Sequence, residues 1–289
     1  MEARILSVHS SYCDAAYGSE NLRCSFRGRL RRENADVHAG DVVELQDKRG
    51  DLLIDHVLER KNLLIRPAVA NVDQAIVVTA MRQPPVDLIY IDRLLVHLES
   101  RDIEAVVCIN KSDIEDAAEM GRVRAIYEKA GYPAVVTSAV TGDGLKSLSQ
   151  VMQGRNVVLA GASGVGKSKI LSSLLRLDLL TATLSRQSRG RHTTNGVTLY
   201  RVGDSGFLAD TPGFSRLDVI DCEPEELCYY YREMTGLVPL CHFPRCLHKT
   251  EDLCEVRKAV SEGRIGEERY RSYLRLLGEC QLKEKRKYE

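Results

Sequence analysis

The sequence predicts a multidomain protein: a small N-terminal β-barrel, a central α/β domain of parallel strands covered by helices, and a mostly helical C-terminal region built around a metal site. Three observations carry this. Short apolar stretches between Gly, Asn and Asp turns fill the first part of the chain, apolar runs alternating with helical patterns fill the middle, and cysteines cluster near position 250. With 289 residues and about 150 residues per domain, two or three domains are expected. The changes of pattern place them at 1–61, 62–221 and 222–289.

In the first segment, Arg4 to Val8, Leu22 to Phe26, Asp41 to Leu45 and Leu52 to Leu58 recur at all-β spacing, which fits a five-strand barrel of the OB-fold kind. From Val72 the runs VDQAIVV, EAVVCIN, PAVVTSA and NVVLAGA alternate with helical patterns at Leu88 to Leu98, Ala117 to Ala130 and Leu145 to Met152. Such alternation reads as a parallel sheet with helices on its faces. Strands are expected again at Val197 to Val202 and Ser205 to Ala209, and helices at Glu223 to Glu233 and Gly266 to Gly278, with the tail Lys283 to Lys287 a frayed, solubilising end.

Apolar residues at 44% and charged residues at 28% lie close to the globular average and exclude wholesale disorder. The 41 basic and 41 acidic residues cancel, so an anionic partner must meet a local patch and not a global field. No apolar run reaches the roughly 18 residues of a membrane span, and the charged N-terminus lacks the apolar centre of a signal peptide. A cytoplasmic protein with no membrane partner, acting as a monomer, is expected. Nine cysteines are an odd number, and in a reducing compartment clustered thiols point to metal or catalysis.

GASGVGKS, Gly161 to Ser168, fits the phosphate-binding pattern G-x-x-x-x-G-K-[ST] between an apolar strand and a helical pattern that opens at Lys169. The residues Gly161, Ala162, Ser163, Gly164, Val165 and Gly166 would wrap backbone N–H groups around an anion. Lys167 would add charge at the β and γ phosphates and so act in catalysis, Ser168 would offer a hydroxyl to Mg²⁺, and Lys169 would close the nucleotide-binding run. Asn110, Lys111, Ser112 and Asp113 follow the strand EAVVCI and match NKxD; an acceptor-only carboxylate at Asp113 pairs with the N1 and N2 donors of guanine and has no such pair on adenine. Thr137, Ser138 and Ala139 (TSA) after the next strand fit the same pocket. Asp210 to Gly213 (DTPG) matches D-x-x-G, with Asp210 holding Mg²⁺ through water and the Gly213 N–H sensing the γ-phosphate. Between lies GRHTT, where Thr193 or Thr194 would complete the Mg²⁺ shell.

The motif order is that of a circular permutation, since familiar small GTPases begin with the phosphate loop. Strand positions in the sheet, not chain ends, make the pocket, so permutation can preserve it. Phe214 stands where many GTPases place a water-orienting Gln; a benzyl group cannot hydrogen-bond water, so intrinsic turnover should be slow. His192 is the best catalytic candidate, with a solvated loop residue as the alternative.

Cys241, Cys246, His248 and Cys254 give C-x₄-C-x-H-x₅-C, enough soft ligands for one closed, structural, tetrahedral Zn²⁺, with His242 as a rival ligand. The remaining cysteines read as scattered thiols. Arg23, Arg27, Arg29, Arg31 and Arg32 lie in a stretch without acids, with Phe26 interleaved. Such a run suits an RNA-binding barrel face and equally a solvated charged surface.

A permuted GTPase between a small barrel and this cysteine segment resembles the RsgA family over nearly the whole chain, including RKNLLIRPAVANVDQ (Arg60 to Gln74), RGRHTT (Arg189 to Thr194), DTPGFS (Asp210 to Ser215) and GRIGEERYRSYL (Gly263 to Leu274). Lys169 after Ser168, EDLC where EPGC is common, and HTTN in place of three threonines depart from the family pattern. The resemblance implies GTP hydrolysis to GDP stimulated by the 30S ribosomal subunit, contact with its 16S rRNA late in maturation, and His192 as a catalytic residue. Two other functions compete: an RNA-binding assembly factor that GTP controls and whose hydrolysis is minor, and an ATP-using small-molecule kinase, which NKSD opposes.

Overall fold

The computed structural model of the protein describes residues 1–26, 36–48, 50–65, 68–181, 197–203, 206–210 and 220–287. The chain forms two compact units: Met1–Gln74 with Ser149–Leu159 and Ser168–Phe214, and Ala75–Leu148 with Ala160–Lys167 and Ser215–Glu289.

In the first unit, β1 (Glu2–Val8), β2 (Tyr12–Tyr17), β3 (Glu20–Phe26), β4 (Val42–Lys48) and β5 (Asp51–Val57) run in the order β1-β2-β3-β5-β4, and β4 pairs back onto β1 through Ala3 and Val43. The barrel therefore closes and leaves no unpaired edge, as an OB-fold requires. Alternation along the strands sends Ala3, Ile5, Cys13, Ala15, Cys24, Val43, Leu45 and Ile54 inward to one core. Strand β2 escapes the sequence pattern because Asp14 and two alanines dilute its β-propensity. The fully buried Asp41 accepts hydrogen bonds from Arg60 Nε at 2.7 Å and His38 N at 2.8 Å, pinning the chain that leaves the barrel. A hairpin of β6 (Leu63–Ile65) and β7 (Ala68–Ala70) follows, and Gly40 lets the backbone pass it: a Cβ there would stand 2.1 Å from Ala70 O. The same unit contains β11 (Asn156–Ala160), β12 (Thr198–Val202) and β13 (Gly206–Asp210), with β13 parallel to β11 and antiparallel to β12.

In the second unit, β8 (Gln74–Thr79), β9 (Glu104–Ile109) and β10 (Ala134–Val136) lie side by side in the order β10-β9-β8, with β9 and β10 parallel. β8 is buried throughout, and β9 at every position after Glu104, as expected of strands covered on both faces. The covering helices are α1 (Leu88–Glu99), capped by Asp87 Oδ1 on Tyr90 N at 3.0 Å, and α2 (Ala117–Lys129), capped by Asp116; α3 (Leu145–Met152) follows β10 in the chain. Helix α4 (Lys167–Thr181) opens at the last two residues of the G-x-x-x-x-G-K-[ST] string.

The C-terminal region departs from the expected helices. Glu223 to Glu233 is not one α-helix: a 3-10 turn over Pro224–Tyr230 gives way at the extended Tyr231 to a single turn, α5 (Arg232–Thr235). Then come α6 (Glu255–Ser261), too short to register as a period, and α7 (Glu267–Lys287), which continues through Gly278. The basic tail is helical through Lys287, and Lys283 Nζ lies 3.5 Å from Asp221 Oδ1.

Helix α7 is fixed to α1 by two ionic contacts. Arg269, 1% exposed, donates to Glu233 at 2.7 and 3.2 Å and to Asp92, and its guanidinium lies 4.6 Å from the Tyr231 ring centroid. Further along α7, Glu279 takes a two-pronged bond from Arg93 of α1 at 2.6 and 2.9 Å. Removing one member of a buried pair strands the other charge, which costs about 3–5 kcal/mol. Arg269→Leu should therefore lower unfolding free energy by about that amount in urea titrations, and Arg269→Leu with Asp92→Leu should recover part of it. A single-variant loss below about 1 kcal/mol, the range of an exposed pair, would show that the buried guanidinium is dispensable.

Candidate nucleotide and metal sites

The glycine string is explained by what stands beside it. At Gly161 (φ 139°) a Cβ would come within 2.2 Å of Val78 O, and at Gly166 (φ 102°) within 2.3 Å of Asn110 Nδ2. The loop thus passes the end of β8 and the Asn of NKSD too closely for a side chain. Lys167 Nζ donates to the carbonyls of Gly161 at 2.8 Å and Ala162 at 2.7 Å, and desolvation lowers its pKa from the ordinary lysine value. Phosphate oxygens are better acceptors for that ammonium than neutral carbonyls. Ser163, Gly164, Ser168 and Lys169 are exposed.

Asn110, 2% exposed at the end of β9, joins three motifs with one side chain. Its Nδ2 donates to Val165 O at 2.9 Å, and its Oδ1 accepts from Ala139 N at 3.1 Å and Thr137 Oγ1 at 3.3 Å. Ser112 N donates to Thr137 O at 3.0 Å, so NKSD and TSA are also tied through the backbone. The buried Ser138 donates from Oγ to Asp113 Oδ1 at 2.6 Å and accepts from Val140 N and Thr141 N. That leaves the second oxygen of the exposed Asp113 toward a ligand's donors. Lys111 takes a left-handed backbone (φ 71°), and its Nζ donates to Gln83 O, a contact with no signature in the motif.

Asp210 ends β13, its backbone opposite Thr198. The expectations for His192, Thr193, Thr194 and Gly213, and for Arg27, Arg29, Arg31 and Arg32, fall outside the described residues. On the barrel, Arg23 is exposed; its guanidinium lies 4.0 Å from the Tyr12 ring centroid, and His9 stacks on Tyr12 at 4.4 Å. Phe26 is half-buried against the barrel core. The sequence reading missed Tyr12 and His9 because they lie on the unread β2 and the turn before it.

In the C-terminal region, Cys241, Cys246, His248 and Cys254 converge, with one ligand atom from each inside a 4.8 Å sphere of mutual distances. A tetrahedral Zn²⁺ with Zn–S bonds of about 2.3 Å has S···S edges of about 3.8 Å; Cys241 Sγ stands 3.9 Å from Cys254 Sγ. His248 Nδ1 lies 3.6 and 3.3 Å from those two sulfurs. The buried ring is the group that faces the thiols, and burial lowers its pKa, toward the neutral form in which an imidazole binds metal. His242 is exposed, packs edge-on against Phe243 and is not part of the cluster.

The loop is shaped from outside the ligands. The Glu251 carboxylate accepts from the N–H groups of Leu247, Lys249 and Thr250, and Tyr270 and Tyr273 on α7 donate to the carbonyls of His248 and Leu247. The i, i+3 tyrosine spacing was the available signal for this support. The set can hold a Zn²⁺ ion, and its closed shell suits a structural metal.

Comparison with known proteins tests the assembled picture. The family model described as RsgA GTPase matches residues 57–220. The small ribosomal subunit biogenesis GTPase RsgA of Caldanaerobacter subterraneus subsp. tengcongensis is 43% identical, covering 93% of this chain and 92% of its own length. That of Moorella thermoacetica is 42% identical over 99% of both chains. Among solved structures, YjeQ from Thermotoga maritima superposes with a TM-score of 0.82 at 36% identity, covering 97% of this chain and 98% of its own. YloQ, a circularly permuted GTPase, gives 0.80 at 32% identity, covering 98% and 95%. A barrel, a permuted set of nucleotide motifs held by Asn110 and a Cys₃His cluster, matched end to end at this identity, place the chain in the RsgA GTPase family.

Proposed function

We propose that this GTPase acts on the small ribosomal subunit, binding it through 16S rRNA late in its maturation and hydrolysing GTP to GDP and phosphate when the subunit stimulates it. The observation that supports a working guanine-nucleotide pocket is Asn110, whose side chain bonds the phosphate loop and the TSA segment together. The Caldanaerobacter and Moorella relatives, small ribosomal subunit biogenesis GTPases, support the ribosomal role. In this reading residues 1–61 form an RNA-binding OB-fold with Arg23 at its surface, 62–221 the permuted GTPase domain, and 222–289 a zinc-binding domain. The chain works in the cytoplasm as a monomer.

Asp113 reads guanine, with Ser138 orienting it and Asn110, Lys111, Ser112 and Ala139 shaping the pocket. Gly161 to Ser168 take the phosphates. Mg²⁺ would be held by Ser168, one of Thr193 and Thr194, and Asp210, and supplies neutralisation of charge on the β- and γ-oxygens. His192 positions or deprotonates the attacking water, the task Phe214 cannot perform. The phenyl ring at 214 also supports the second reading, in which GTP sets conformation and turnover is minor; turnover measured with and without small subunits separates the two.

Three outcomes are expected. Asp113→Ala should weaken GTP binding by about 1.5–3 kcal/mol, the range of hydrogen bonds to charged groups, and erase the preference for GTP over ITP, whose base lacks the 2-amino donor. A competition assay showing an unchanged GTP/ITP ratio would remove Asp113 from base recognition. His192→Ala should lower subunit-stimulated kcat by about 10²-fold or more with GTP affinity unchanged; equal loss of both would assign His192 a structural role. Purified protein should carry one Zn²⁺ per chain by elemental analysis, and stripping it with a chelator should open the 241–254 loop to protease while GTP affinity persists. A metal-free preparation with an equally resistant loop would refute the zinc assignment.

A further inference from the structure

A short turn beside the phosphate loop belongs to none of the nucleotide motifs. It follows β8 and spans Arg82 to Pro85, whose backbones pair in an isolated antiparallel bridge, and it is closed by Val86 N donating to Met81 O at 2.9 Å. Its flanks are fixed: β8 is buried throughout, and Asp87, just after the turn, caps α1. Between these flanks the turn meets both the phosphate loop and NKSD. A Cβ on Gly164 would stand 3.7 Å from Pro84 Cδ, an ordinary van der Waals separation, so the proline ring borders the loop. Lys111 Nζ donates to Gln83 O.

The turn is held by a carboxylate that the NKxD pattern does not include. Glu115, just beyond Asp113, has a side chain only 1% exposed, and its Oε1 accepts from Arg82 N at 3.1 Å. Its Oε2 has no hydrogen-bond partner among the described residues. Arg82 Nε lies 3.9 Å from that oxygen and 4.0 Å from Glu119 Oε2 on α2, beyond hydrogen-bond reach, and the arginine side chain is 63% exposed. An exposed ion pair of that length contributes little. The tie is therefore the bond to the Arg82 backbone, and it keeps a carboxylate buried with its oxygens incompletely paired, which costs free energy. What that N–H belongs to accounts for the arrangement: it anchors the turn that meets Gly164 and Lys111.

We propose that Glu115 is a positioning residue of the nucleotide site, holding the Arg82–Pro85 turn against Gly164 and Lys111 and thereby slowing the release of bound GTP and GDP. The inference rests on the reading that Asn110 to Asp113 and Gly161 to Ser168 hold the nucleotide. Lys111 is the link. Its left-handed backbone (φ 71°) sets where the side chain starts, and Gln83 O sets where it ends, so the apolar stem is held at both ends. A stem already ordered loses less freedom when a ligand packs against it, and pre-organisation of this kind acts chiefly on the dissociation rate.

The test uses full-length protein loaded with mant-GDP, a fluorescent guanine nucleotide, and chased with excess GDP by stopped flow. Glu115→Ala should release the nucleotide about 10-fold faster or more, as expected for loss of a hydrogen bond to a charged group, and KM for GTP should rise while subunit-stimulated kcat does not fall. Glu115→Gln, whose amide oxygen still accepts from Arg82 N, should release within about threefold of wild type. Pro84→Gly, which loosens the turn and leaves Glu115 in place, should also speed release, and it serves where Glu115→Ala is unstable. A merely structural carboxylate would lower the thermal midpoint and kcat together with no gain in release rate, and that result would overturn the proposal. Equal acceleration in Glu115→Gln and Glu115→Ala would overturn the role of the backbone bond. Wild-type protein that binds no mant-GDP would sink the pocket reading itself, whereas tight wild-type binding with unchanged release from Glu115→Ala strikes the positioning role alone.

Discussion

The nucleotide site depends on one buried amide. Asn110 spends its donor on the phosphate loop and its acceptor on the TSA segment, so three loops from different parts of the chain share a single fixed point. Each such bond has a net worth of only about 1 kcal/mol, but an unpaired buried group left by its loss costs about 1–3 kcal/mol. The arrangement is therefore kept less by the strength of the bonds than by the penalty for breaking them one at a time. Gly166 belongs to the same constraint, because no side chain fits between the loop and the Asn110 amide. This explains why permutation is harmless: the tie is made across space, and it does not matter which motif comes first in the chain.

The C-terminal region solves a different problem. Its loop from Cys241 to Cys254 offers little apolar material, with Phe243 and Leu253 exposed. Hydrophobic burial cannot hold such a segment, so polar ties replace it: the ligand cluster, the Glu251 carboxylate under three N–H groups, and two tyrosine hydroxyls from α7. Those ties transfer the burden to α7, which is held on α1 by Arg269 and Arg93. A buried ion pair is weak evidence for stability in itself, since desolvation offsets much of its attraction. What Arg269 adds is register, because its fork fits Glu233 and Asp92 together in only one position of the helix.

How much of this could be read in advance follows from where each constraint acts. The phosphate loop, NKSD and the Cys₃His string were legible because backbone needs and ligand counts are local, and a few adjacent letters state them. The five-strand barrel was legible as a class, yet β2 was not, since YCDAAY carries its pairing in the neighbouring strands and not in its own composition. The 3-10 turn at Pro224–Tyr230 looked like an α-helix because both spacings place the same residues inward over so short a span. Arg269 with Asp92 left no trace at all, because the pair joins residues far apart in the chain and a lone arginine looks the same whether it is buried in a network or solvated.

The anchors of the C-terminal region have a mechanical meaning. At its start Ile220 is buried in the C-terminal core, and Asp221 Oδ1 lies 3.5 Å from Lys283 Nζ on α7. That helix cannot yield locally, because Arg269 near its start and Glu279 further along are both locked to α1. Since packed elements switch between discrete arrangements and do not stretch, the ion pairs along α7 hold the metal loop that Tyr270 and Tyr273 hang from that helix in one register with α1.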